Sequence, residues 1–144
     1  MTSFMATGQQ IPTPFHWRVT AFVVVIFATI GVRIIRLHLI RSLMHRVCDP
    51  TVPEATSRQA ETALAAIDAI SPYVPARVAC FERSISAAIL IRLRRRTVTW
   101  CHGVKIRPVA LHAWIEVDGQ AIGEVQHVAV TYNVLSTTNR KGRV

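Results

Sequence analysis

Acidic residues are scarce in this chain, and none occurs before Asp49. Eight Asp plus Glu stand against seventeen Lys plus Arg, leaving a formal charge of +9 on 144 residues. That balance suits nucleic acid, anionic lipid or an acidic polypeptide. The sequence lacks an aromatic-interleaved basic motif, zinc-finger spacing and a helix-turn-helix pattern, which sets nucleic acid aside as a partner. Cysteine is sparse as well. Cys48, Cys80 and Cys101 are odd in number and far apart, which excludes a disulfide framework or a CxxC metal site and points to a reducing compartment. The most apolar run, Val19 to Val32, holds fourteen uncharged residues, short of the roughly 20 that a membrane-spanning helix needs. No small-residue cleavage site follows it, as a signal peptide would require; Arg33-Ile34-Ile35-Arg36 does. There is no internal repeat, and the length fits one domain with a real core.

Residues 1–16 read as a polar tail. Val19–Val32 reads first as a buried helix and second as a membrane contact. From Arg33 to Val47 the pattern turns amphipathic: Leu39, Ile40, Leu43, Met44 and Val47 form one stripe, and His38, Arg41, Ser42, His45 and Arg46 the other. Five unopposed arginines precede Asp49, so residues 19–47 suit a membrane surface or a partner, or simply a solvated face on a packed helix. Residues 1–50 are therefore taken as a basic, partly apolar helical region in front of a core at 51–144. Thr51-Val52-Pro53-Glu54 has capping-box form, and the helix after it presents Ala60, Ala63, Leu64, Ile67 and Ile70. Pro72 and Pro75 end that helix. The next opens on Cys80 and places Phe81, Ile85, Ala88, Ile89 and Leu93 at helical spacing. After Arg96 the period becomes two. A strand is expected over Thr97–Val104, interrupted near Gly103, and another over Leu111–Val117. An Asp118-Gly119 turn follows, then Gln120–Ile122, with a last strand within His127–Leu135. The order predicts an α+β domain, helices first and an antiparallel sheet after.

Cys80, in the first turn of a helix, sits where unpaired N–H groups and the helix dipole favour thiolate. The alternative is a buried, inert thiol. A thiolate nucleophile needs a base, and the base needs an orienting group. Cys101 and His102 are strand neighbours facing opposite ways, so they form no dyad; His112 is better placed. Glu116 shares its face but lies roughly 13 Å along the strand, and Asp118 belongs to the turn. For Glu124 the loop length decides. A two-residue loop sets it opposite Ala113, on the wrong face. A three-residue loop, Val117-Asp118-Gly119, pairs Glu116 with Gln120 and sets Glu124 opposite His112. Glycine at the third position is what that hairpin requires, so the longer loop and a Cys80–His112–Glu124 triad are expected. Such chemistry needs neither cofactor nor metal.

Cys80-Phe81-Glu82-Arg83-Ser84, Gly103-Val104, His112-Ala113-Trp114-Ile115-Glu116, Asp118-Gly119 and Gly123-Glu124 together resemble the leader peptidase of lasso-peptide biosynthesis. That family is a transglutaminase-like cysteine protease, here without the precursor-recognition domain that some members carry in front. The resemblance covers about residues 52–135. It implies a papain/transglutaminase-like topology and a Cys-His-acid triad, carried onto Cys80 and His112. The family's third member is often Asp, and its residue after the cysteine is commonly Leu; Glu124 and Phe81 depart from that pattern. By implication the substrate is a ribosomally made precursor peptide whose leader is cut away, alongside a small leader-recognition protein and an ATP-dependent cyclase, in the cytoplasm. A transamidating enzyme with the same triad is the nearest rival. A non-catalytic scaffold docking through its basic N-terminal half is the rival from another class.

Overall fold

The computed structural model describes residues 12–124 and 131–138. Four helices lead, α1 (Phe15–Ile34), α2 (Leu37–Val47), α3 (Ser57–Ile70) and α4 (Cys80–Leu93), with a 3-10 turn at Ser71–Tyr73 before α4. Four strands follow: β1 (Thr99–Ile106), β2 (Val109–Val117), β3 (Gln120–Ala121) and β4 (Asn133–Thr137). They form one antiparallel sheet in the order β3-β2-β1-β4. This is the α+β arrangement expected from the order of periodicities. The sequence places the last strand within His127–Leu135; residues 125–130 lie outside the described chain, and β4 starts at Asn133.

Helix α4 is the hub. It packs on α1 and α3 on one side and on β2 on the other. Its inward residues, Ile85, Ala87, Ala88, Leu90 and Ile91, therefore run almost around the helix. The single stripe expected from sequence is too narrow, and Leu93, its last member, is 59 % exposed. A helix enclosed on most sides shows little amphipathic period. One hydroxyl on it makes two bonds: Ser84 Oγ donates to the Phe81 carbonyl and accepts from Trp100 Nε1, each at 3.0 Å.

The N-terminal run is a helix packed on the core through Ala21, Val25 and Ala28. Helix α2 is held more lightly, by Ile40 and Met44, while Leu39 and Leu43 of the same stripe face out. Helix α3 starts one signal later than expected. Thr56 caps it, accepting from the Gln59 N–H while Gln59 Oε1 accepts from the Thr56 N–H. Thr51 instead bonds Asp49. Glu54 bridges to Thr97 and accepts from the Asp118 N–H, so neither residue is free to cap. Strand β1 runs through Gly103 without the expected interruption; the irregularity lies in its pairing with β4, which shifts register between His102 and Gly103. A Cβ on Gly103 would come within 3.0 Å of the Asn133 carbonyl and 3.1 Å of Trp114, so glycine lets β4 approach.

Candidate active site

The hairpin after β2 differs from the expected one. Val117 pairs with Gln120 and Glu116 with Ala121, so the loop is the two residues Asp118-Gly119, both with positive φ (50° and 75°). That is a primed turn, whose twist suits a hairpin. Asp tolerates the left-handed region, and the three-residue alternative is not needed. The pairing continues one step, with the Ile122 N–H donating to the Ile115 carbonyl at 3.0 Å. Continued further, this register would put Glu124 against Ala113, away from His112. Gly123 prevents it. Its φ of +67° turns the chain out of the sheet, and a Cβ there would lie 2.8 Å from Leu64 Cδ1 and 3.4 Å from an Arg83 nitrogen. Glu124 is swung onto His112 instead, with Oε2 2.8 Å from Nε2. The contact expected from sequence is present, produced by a different device.

Ending β3 early also opens the edge of β2. The Ala113 N–H, freed from a strand partner, donates to Cys80 Sγ, as does the Phe81 N–H in the first turn of α4. His112 hydrogen-bonds the same sulfur. Since Nε2 faces Glu124, Nδ1 is the nitrogen left for Cys80. The ring is braced by Trp114, stacked with centroids 5.8 Å apart, and by Tyr132 at 5.2 Å. Cys80, His112 and Glu124 thus form one hydrogen-bonded line at the sheet edge. His112 and Glu124 side chains are 20 % and 13 % exposed.

Electrostatics follow from that line. The hydrogen bond from His112 holds the Cys80 thiol below its ordinary range, against the opposing effect of burial. The bonds to Cys80 and then Glu124 push His112 up to about 9. Both shifts favour the thiolate–imidazolium pair over the neutral pair. The other thiols differ. Burial pushes Cys48 up to about 11, and Cys101 is buried beside Trp114 on the face of the sheet away from α4. His102 stacks over Trp100 and meets Phe81 edge-on; burial, then Arg41, lowers its pKa. Cys101 and His102 face opposite ways, as a strand requires. Among the described residues no group of three or more His, Cys, Asp or Glu could hold a metal ion.

Sequence reasoning missed the support beneath Glu124. Arg83 forks onto Asp68 of α3 at 2.8 and 2.9 Å and sets its other terminal nitrogen 3.6 Å from Glu124 Oε1. Arg83 lies one turn after Cys80, so the helical i, i+3 relation could have placed it near the nucleophile. Asp68 carries no such local signal.

A cysteine at a helix N-terminus, a histidine on an adjacent strand and a carboxylate behind it define a cysteine-nucleophile site on an α+β scaffold. The comparisons give that class a family. The profile of the transglutaminase-like superfamily matches residues 22–137, and the chain belongs to that superfamily, whose members include cysteine proteases. The match begins within α1 and ends in β4. No curated protein and no solved structure matches the chain.

Proposed function

We propose that this protein is a cysteine peptidase that removes the leader from a ribosomally made lasso-peptide precursor. The observation that carries the peptidase reading is the continuous Cys80–His112–Glu124 line at the open edge of β2. The CxERS and HAWxE motifs that resemble the lasso leader peptidases supply the substrate class. The Cys80 thiolate attacks the scissile carbonyl, and the C–N bond breaks as His112 gives its proton to the departing amine. His112 then takes a proton from water, which cleaves the thioester and restores the thiol pair. Glu124 keeps the imidazole turned toward Cys80. No side chain caps α4, so the first-turn N–H groups other than that of Phe81, which faces the sulfur, are available to the oxyanion. The partners in this reading are the precursor, a small leader-recognition protein and an ATP-dependent cyclase. A reducing compartment, the cytoplasm, keeps Cys80 as a thiol.

The test is mass spectrometry of candidate precursors incubated with the protein, with and without the recognition protein. Release of intact leader by the parent, lost in Cys80→Ala by more than about a thousandfold, is the expected result. Cys48→Ala and Cys101→Ala should retain the chemistry. The superfamily assignment favours one rival, transamidation. Amine conjugates in place of free acid when a primary amine is added would select it.

A further inference from the structure

Between Arg18 and Arg33, helix α1 is apolar all round, and the fold uses only part of it. One side packs Ala21, Val25 and Ala28 against the core. On the other, Phe15, Phe27 and Ile34 are 80 %, 71 % and 75 % exposed, and Val19, Val23 and Ile30 about half exposed. Leu39 and Leu43 of α2 extend this surface. Between the two helices and α4 lies a groove of about 190 Å³, whose walls include Phe27, Gly31, Ile35, Leu43 and Ile89. A helix apolar on every side belongs in a protein interior or in lipid. At 20 residues, with a mean hydropathy of 1.8 over an 18-residue stretch, α1 has the length to cross a bilayer. Crossing would withdraw its packed side from α3 and α4, whereas lying in the membrane plane satisfies both sides at once.

Charge selects the kind of surface. Arg18, Arg33, Arg36 and Arg46 are all exposed, and residues 12–48 contain no carboxylate side chain. A second copy of the chain would set these four arginines against themselves. A neutral membrane offers this face no negative charge, but anionic headgroups complement it beside an apolar interior. We propose that the outer face of α1, with Leu39 and Leu43, seats this protein in the plane of an anionic phospholipid surface. This reading is independent of the chemistry at Cys80.

The experiment is co-sedimentation of the full chain with vesicles of phosphatidylcholine alone or mixed with phosphatidylglycerol. Binding should be at least about tenfold tighter to the anionic vesicles and should weaken as salt rises. Two surface variants, Phe27→Ser/Ile30→Ser and Arg33→Glu/Arg36→Glu, should each lower it by about tenfold or more. Both should keep the parent's circular dichroism and Cys80 alkylation rate; should one misfold, the other carries the test. Absence of vesicle binding, or parental binding by both folded variants, overturns the proposal. So does resistance to carbonate extraction, which would mark a spanning helix. Lipid-free dimers that dissociate in the Phe27→Ser/Ile30→Ser protein, or capture by a soluble acidic protein where vesicles fail, would overturn it in favour of those occupants.

Discussion

Cys80 and His112 share a proton balance that two measurements at different pH values can separate. His112 is raised from 6.5 to about 9, so its protonated form is favoured by folding. That contribution to stability is complete below pH 6.5 and is lost as pH rises through about 9. In the proposed cleavage the imidazolium is the acid, so turnover should fall above about pH 9. Alkylation of Cys80 needs only the thiolate and should persist there. At neutral pH Cys80 should alkylate well ahead of Cys48, whose thiol burial holds up at about 11. Equal labelling of the two would remove the basis for a nucleophile. Glu124 acts through His112, so Glu124→Gln should slow the parent substantially yet barely change the residual rate of His112→Ala. Multiplicative losses would give Glu124 a role in the fold or in substrate binding. Arg83 stands one step further back, linking Glu124 to Asp68. Arg83→Ala should lower kcat on the order of tenfold to a hundredfold with KM little changed. Arg83→Lys should recover part of that, since it keeps the charge and loses the fork onto Asp68; a rise in KM alone would make Arg83 a substrate contact.

At the scale of elements, the hairpin shows what sequence can and cannot specify. The Asp118-Gly119 turn, the strand before it, and a cysteine opening a helix are all local signals, and they were legible. Loop length was not: glycine suits the last place of both a three-residue loop and a two-residue primed turn, and the choice lay in whether Asp118 would accept a φ of 50°. Nor was the turn at Gly123 legible, because its cause is tertiary. Leu64 and Arg83 occupy the space a side chain would need, and neither is near Gly123 in sequence. The two glycines make a controlled pair. Gly119 has φ +75° and nothing within 4 Å of its would-be Cβ. Gly119→Ala should therefore cost only the left-handed strain, roughly 1–2 kcal/mol. Gly123→Ala adds a clash with Leu64 and a displaced Glu124, so it should be the more destabilised in urea and also lose cleavage. Equal stability losses with cleavage intact in both would mean that Gly123 does not aim Glu124.

For the whole molecule, α1 is where sequence and structure weigh the same residues differently. Its composition suggested a buried helix or a membrane contact as alternatives; the packing makes it half-buried, because α3 and α4 offer a surface for only one of its sides. Composition alone could not reveal this, since an apolar residue carries no mark of which neighbour will cover it. The consequence is a prediction about where the folding unit begins. Removing residues 1–47 would take Ala21, Val24, Val25 and Ala28 from α1, together with Ile40 and Met44 from α2. Full burial is worth about 1.5–3 kcal/mol for each Val, Ile or Met. Four such residues therefore approach the entire 5–15 kcal/mol, roughly, that holds a domain together. The truncated chain should lose its cooperative thermal transition and the selective alkylation of Cys80, although Cys80, His112 and Glu124 all remain in it. Phe27→Ser/Ile30→Ser, which changes only the outer side of α1, should keep both. If residues 48–144 instead melt cooperatively and keep a fast-reacting Cys80, the core begins after α2, and α1 is an accessory helix whose packed side contributes little.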